Sequence, residues 1–523
     1  MPALSSGGTG GGSGGGLGLG DANTSNVSQF LPSHRERHVA FVSGHEGTTL
    51  FEVTCFAAVG PLSILLRNCA VPWLFPGRQF SQGGLLSVGL KALLDFNLAL
   101  LPTLLSFTYL ADYLPVLLLT LLLASLSFLL LSLWEYQLFR DRPSLEEVLG
   151  FSMNVERQPF LSYYRAYLFV ATAVCILAVD FPLFPRRFAK TESFGYGIMD
   201  AGVGSFVVVQ ALCAPELRYG ARRLRAMRRA ELLRLLRPSL ALLALGVVRL
   251  LAVKVTGYHE HVTEYGLHWN FFFTLVVVKT TAILVVKLLG GAKFCWLICL
   301  ILGVGYELLL RRCRLSAYIL HGTFDAAAAE SGAVFDRRAG LLSANREGIF
   351  SLIGYLSIYF GAAQLGSFLL KTRDTLRSRL VFLGQLASIC VFLAVLLLAA
   401  DRYLGPPSRR MANLTFVLWM LFANSFVLLL CLLVEVLCVA GYALKMPAFH
   451  FGESPFDQLR PCLLLGLNRV GLPLFLAANV LTGLINLCLV TLDTGDMAAF
   501  SILYAYALAI STAFAAIGWS IDS

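Results

Sequence analysis

From residue 50 onward the chain alternates long apolar runs with short polar breaks. As helices, runs of about 18 to 25 apolar residues are long enough to cross roughly 30 Å of hydrocarbon. They are continuously apolar, without the apolar–polar alternation that marks a membrane barrel strand. The pattern predicts thirteen transmembrane helices, near residues 50–70, 92–110, 113–134, 162–180, 201–217, 238–256, 268–287, 293–310, 348–370, 379–400, 413–442, 471–491 and 497–518. The expected fold is therefore all-α, a polytopic integral membrane protein. The second run carries Lys91 and Asp95 near its start. The eleventh is longer than one crossing needs, which calls for a tilt or a break.

Charge sets the expected orientation. The loop after the fifth run, ELRYGARRLRAMRRAELLRLLR, carries eight arginines, which places it in the cytosol. Odd-numbered loops then face the cytosol and hold about twice the Lys and Arg of the even-numbered ones. The N-terminus is expected on the lumenal side and the C-terminus in the cytosol. Residues 1–40, with SSGGTGGGSGGGLGLG among them, read as a disordered glycine-rich tail, and residues 41–523 as a single multispan membrane domain. The first apolar run starts too late for a cleavable signal sequence. Two sequons, at Asn23 and Asn26, would be open to glycosylation on a lumenal tail.

Of the 523 residues 57% are hydrophobic and only 14% charged, against about 25% charged in soluble proteins. Arginine in short loops accounts for the net charge of +10, so membrane lipids are the expected surroundings and no nucleic acid is needed as a partner. Most of the twelve cysteines lie inside apolar runs and read as small buried hydrophobes. No His or Cys set completes a metal site, and no metal is expected.

The distinctive polar stretches fall on even-numbered loops. They are DFPLFPRRFAKTE (180–192), GYHEHVTEYGLHWN (257–270), GLLSANREG (340–348) and SRRMAN (408–413), joined by HEGTT (45–49) ahead of the first run. All five are expected to converge on the lumenal face and mark a site there.

Asp180 ends an apolar run, and Pro182 and Pro185 stop the helix. One reading is an ordinary charged border balanced by Arg186 and Arg187. The other is a reactive carboxylate. The proline-fixed loop is short enough to return Lys190 toward Asp180, and a carboxylate shielded from bulk water can serve as general base.

No H-E-x-x-H pattern is present, so His261 and His268 read as hydrogen-bonding groups of a polar cavity or a reserve base. Glu264 and His268 would share a face if helical, and Asn270 closes the same polar stretch. Arg249 and Lys279 lie within apolar runs. A cation at the bilayer centre costs about 2.5–3.5 kcal/mol or more, which favours a functional use, as partner of an acid or of a phosphate. Ser343 and Asn345 read as helix caps with Glu347 in the first turn, while Arg346 adds an anion-binding character. Arg409 and Arg410 have a similar look. Asn479, Thr482 and Asn486 repeat at helical spacing and are expected to join helices by hydrogen bonds.

Taken together, LAVDFPLFPRRFAKTE, GYGIMDAGVG, HEHVTEYGLHWNFFFT, GLLSANREGI, RRMANL and NVLTGLINL resemble the motifs of the glycosylphosphatidylinositol (GPI) inositol acyltransferase family. The resemblance runs over residues 40–520; the glycine-rich tail and HEGTT depart from it. It implies a multi-pass enzyme of the endoplasmic reticulum membrane. Such enzymes transfer a fatty acyl group, typically palmitoyl, from acyl-coenzyme A to the inositol of glucosaminyl-phosphatidylinositol. It also implies a catalytic aspartate and lysine in D-F-P…R-F-A-K, here Asp180 and Lys190, with acyl-coenzyme A as co-substrate and no further cofactor. Direct transfer is expected, because no cysteine lies in a motif. Arg186, Arg187, Arg249, His261, His268, Asn270, Lys279, Asn345 and Arg346 are the substrate-binding candidates, undivided between the two ligands. The main alternative is a lipid or solute transporter with a charged cavity at the midplane. A different multispan transferase, such as one using a lipid-phosphate sugar, is the other.

Overall fold

In a computed structural model of the chain, the described residues are 41, 43–75, 84–137, 144–151, 158–219, 223–224, 226–256, 262–325, 340–371, 373–445, 459–460 and 462–521. Residues 44–523 form one unit, distinct from residues 1–43. The tail expected over residues 1–40 lies outside the described residues.

The unit is built from helices. The first stretch holds α1 (Leu50–Leu74), α2 (Gly84–Ala99), α3 (Leu101–Ser106), α4 (Leu114–Gln137), α5 (Leu145–Gly150), α6 (Pro159–Ala178) and α7 (Ile198–Leu212). The middle adds α8 (Arg229–Thr256), α9 (Val262–Tyr265), α10 (Phe271–Leu289), α11 (Cys295–Arg312), α12 (Leu315–His321) and α13 (Leu341–Ala344). The last part comprises α14 (Arg346–Leu369), α15 (Leu376–Leu404), α16 (Leu414–Lys445), α17 (Leu463–Arg469), α18 (Gly471–Cys488) and α19 (Asp496–Ser520). No strand occurs among the described residues, only an isolated antiparallel bridge between Thr48 and Tyr196.

Twelve spans among the described residues are long and apolar enough to cross a membrane, and the shorter apolar helix α7 makes the thirteenth run. The all-α polytopic expectation thus holds, with three differences of detail. The second run begins at Gly84 and breaks between α2 and α3, where Pro102 restarts the helix. Its charges do not end it because they are paired: Asp95 accepts from Arg67 Nε at 2.8 Å and pairs with Lys91, all three side chains being buried. A buried charge survives only with such partners. The fifth run ends at Leu212, five residues early, since Pro215 disfavours helix in the residues before it. The eleventh run is one unbroken helix, α16, of 32 residues.

α16 is the spine of the unit, packing on α1, α6, α7, α14 and α15. Trp419, Tyr163, Tyr355, Tyr359 and Phe160 are fully buried around it. Glu435 on α16 is also buried, accepting from the Phe160 backbone N–H at 2.9 Å and pairing with Arg379 of α15. Where lipid surrounds a bundle, polar groups must find partners inside it.

Candidate active site

The five polar stretches meet at one end of the bundle, stitched mostly through backbone groups. Thr48 N–H donates to Tyr196 O at 2.8 Å and Glu192 N–H to His45 O at 2.9 Å, which lays HEGTT along the DFPLFPRRFAKTE loop. Gly195 makes this approach feasible: its φ is +127°, and a Cβ there would stand 2.0 Å from Glu46 O. Gly195 N–H also donates to Pro407 O at 2.9 Å, and Ser408 Oγ to Ser193 O at 2.6 Å. Leu267 N–H reaches Ala344 O at 3.0 Å, and His268 N–H reaches Asn345 Oδ1 at 2.8 Å. HEGTT, DFPLFPRRFAKTE and SRRMAN are thus joined to one another, as are GYHEHVTEYGLHWN and GLLSANREG.

Asp180 sits in the turn that follows α6, half-buried. Its Oδ2 accepts from Asn486 Nδ2 of α18 at 2.8 Å. Of the polar residues on α18, Asn486 therefore ties its helix to the turn after α6, whereas among the described residues Asn479 bonds only the Phe475 carbonyl of its own helix. Arg186 folds back over the loop and donates to the Val179, Phe181 and Phe184 carbonyls at 2.7–3.0 Å. Val179 is the C-cap residue of α6, and Phe181 and Phe184 lie in the loop beyond it, so one guanidinium ties the helix end to the loop. Burial pulls the Arg186 guanidinium down to about 10, opposed by the negative charge of Asp180.

Lys190 does not turn back to Asp180. Its Nζ lies 2.5 Å from Glu264 Oε1, on the short helix α9. Burial pushes the Glu264 carboxyl up, but the Lys190 ammonium and the Arg409 and Arg249 guanidiniums outweigh it and hold it down to about 2. Behind this pair lies a second one: Arg409 Nε donates to Asp200 Oδ1 at 2.7 Å, and Thr191 donates to Asp200 Oδ2 through both its backbone N–H and its hydroxyl. Arg409 and Asp200 are both buried. A third link joins Arg410 to Glu347 at 3.2 Å. Glu264 is thus the acid that pairs with Lys190 among the described residues, and the Lys190 side chain stays 41% exposed. That exposure leaves N–H groups for a ligand.

The substrate-binding candidates divide by how they are engaged. Arg187 pairs with Glu52 at 3.0 Å and Asp112 at 2.5 Å. Asn270 caps α10, accepting from Phe272 and Phe273 N–H, and donates to Gly246 O. Asn345 does not cap α14; its oxygen crosses to His268 N–H instead. Arg346 is buried and donates to Ile319 O. Lys279 is half-buried midway along α10, within the field of buried Glu216. His268 is exposed and lies beyond the end of α9, so it shares no helix face with Glu264. His261 lies outside the described residues. Glu264 and Asp200 were not among the candidates drawn from sequence. Their signal was present for Glu264, an acid in a conspicuous polar stretch, and weak for Asp200, one acid near the start of an apolar helix.

Comparison with known proteins gives a consistent result. The family model described as GWT1 matches residues 34–517. A mouse protein named glucosaminyl-phosphatidylinositol-acyltransferase PIGW is 34% identical, covering 91% of this chain and 96% of its own length. The human protein of the same name is also 34% identical, with the same coverage. The GPI-anchored wall transfer protein 1 of Aspergillus fumigatus is 34% identical over 92% of this chain and 96% of its own.

Proposed function

The chain belongs to the GWT1 family, and from that premise we propose that it transfers a fatty acyl group to the inositol ring of glucosaminyl-phosphatidylinositol in GPI-anchor biosynthesis. The donor in this reading is an acyl-coenzyme A, with palmitoyl as the group carried. The setting is the endoplasmic reticulum membrane, with the polar end of the bundle facing the lumen.

One observation carries the reading. Asp180 and Lys190 stand on a single proline-bounded loop, each held by a partner from another element: Asn486 for the carboxylate and Glu264 for the ammonium. Acyl transfer from a thioester to a hydroxyl needs a base for the hydroxyl proton and a cation for the developing oxyanion. Asp180 takes the proton as the inositol oxygen attacks the thioester carbonyl carbon and the new C–O bond forms. The Lys190 ammonium stabilises the negative oxygen of the tetrahedral intermediate. The C–S bond then breaks, and protonated Asp180 returns its proton to the leaving thiolate. The products are an inositol ester and free coenzyme A, and the chemistry draws on these side chains and the two substrates alone. Asn486 and Glu264 act through the two residues they hold.

The test is to incubate purified protein with labelled acyl-coenzyme A and glucosaminyl-phosphatidylinositol. Acylated inositol forms with the wild type and is lost in Asp180→Asn and in Lys190→Ala. Near-normal transfer by either folded variant overturns the assignment of the pair. Movement of ligand without modification would make the protein a transporter.

A further inference from the structure

α8 packs chiefly along α10. At Gly246 the two helices approach closely: its carbonyl accepts from Asn270 Nδ2 at 2.9 Å, and its missing side chain leaves room for the Phe273 ring. Arg249 follows three residues later, about 4.5 Å further along the axis toward the polar end. It is exposed, and it makes no hydrogen bond or ion pair among the described residues. Its neighbours on α8, Val247, Val248 and Leu251, are exposed apolar side chains of a lipid-facing helix. A guanidinium on such a face is costly unless it meets an anion.

The acids of the site do not supply that anion. Glu264 and Tyr265 both feel the charge of Arg249, but Glu264 is bonded to Lys190 and Asp200 to Arg409. Arg249 is thus a positive charge on the lipid-facing surface of α8, within the field of Glu264 but without a bonded anion among the described residues. We propose that Arg249 binds the phosphodiester of the lipid acceptor, which reaches the site sideways from the bilayer along α8. The ligand fits on three counts. A phosphodiester carries a single negative charge, it accepts two parallel N–H bonds from a guanidinium, and in a bilayer it lies at the headgroup level beside an inositol ring. This inference rests on the acyl-transfer reading and divides the cations between the ligands: Arg249 goes to the acceptor, not to the phosphates of the donor.

Arg249→Leu tests it, since the side chain is exposed and its removal leaves no buried partner behind. In steady-state transfer with detergent-solubilised protein, the acceptor KM rises about tenfold or more, the size expected for losing a charged hydrogen bond. The value of kcat and the donor KM stay within a factor of about three, well inside that loss. An unchanged acceptor KM overturns the proposal. So does a rise confined to the donor KM, which would put the donor's phosphates on Arg249, or a loss confined to kcat. Thermal shift on adding glucosaminyl-phosphatidylinositol, with phosphatidylcholine as the control lipid, reads binding without any turnover. The inositol lipid stabilises the wild type and not Arg249→Leu; equal stabilisation of both overturns the site. If the wild type binds the lipid through Arg249 yet transfers no acyl group, the acyl-transfer reading fails and the lipid site stands.

Discussion

Glu264→Gln asks how far the Lys190 ammonium depends on the carboxylate beside it. The substitution keeps the side-chain volume and removes the charge. A hydrogen bond between charged groups contributes about 1.5–3 kcal/mol. Lys190 is 41% exposed, so solvent screens part of that, leaving about 1–2 kcal/mol. If this energy serves to hold the ammonium where the oxyanion forms, its loss falls on the transition state. At 1.36 kcal/mol per tenfold, kcat drops about 5- to 30-fold. Both KM values stay within about twofold, because the ground-state contacts of the ligands are untouched. Steady-state transfer of labelled acyl groups measures both quantities, normalised to monodisperse protein. Retention of kcat within about twofold refutes the reasoning.

The same carboxyl gives a second readout with a definite sign. Held near 2, against an ordinary 4.5, it binds a proton less readily when folded than when unfolded. Its contribution to stability is therefore fully present above pH 4.5 and is lost as pH falls toward 2. Over that window the thermal midpoint of the wild type falls more steeply than that of Glu264→Gln. Parallel curves would show that the ion pair does not couple to folding.

Three further outcomes are expected. Asn486→Leu releases the Asp180 carboxylate from its partner on α18 and lowers kcat about tenfold with little change in KM, read in the same transfer assay. Arg409→Leu leaves Asp200 buried without its cation and costs about 3–5 kcal/mol, seen as a loss of folded protein and a lower thermal midpoint. Replacing both partners by leucine recovers part of that loss. Gly195→Ala forces a side chain into a left-handed backbone and against Glu46 O. It destabilises by about 1–3 kcal/mol and frees residues 44–49, which limited proteolysis detects.

The sequence made the membrane helices legible because a bilayer imposes one rule on every crossing, about twenty apolar residues in a row. It misplaced the second and fifth runs where a local event overrode that rule. In one, Arg67 and Lys91 both pair with Asp95 inside the bundle; in the other, Pro215 stops the helix early. The meeting of the polar stretches at one end was also readable, since loop parity alone brings even-numbered loops together. Their pairing was not. Whether Lys190 turns to Asp180 or to Glu264 depends on where α9 comes to rest, and the loop's own residues carry no record of that. Arg186 shows the same limit at shorter range. Its charge reads as a substrate clamp, but the prolines bend the chain so that three carbonyls lie within its reach.

The length of α16 has a consequence for the bilayer itself. Leu414 starts the helix beside the polar end, and Glu435, locked to Arg379, follows 21 positions later. That separation is about 32 Å along the axis, or about 30 Å at a common tilt near 20°. The helix thus works as a ruler between two fixed points, the Leu414 N–H held by buried Glu307 and Glu435 held by Arg379. A membrane thinner or thicker than this creates mismatch that the protein cannot relieve by sliding, because both marks are tied to buried charge.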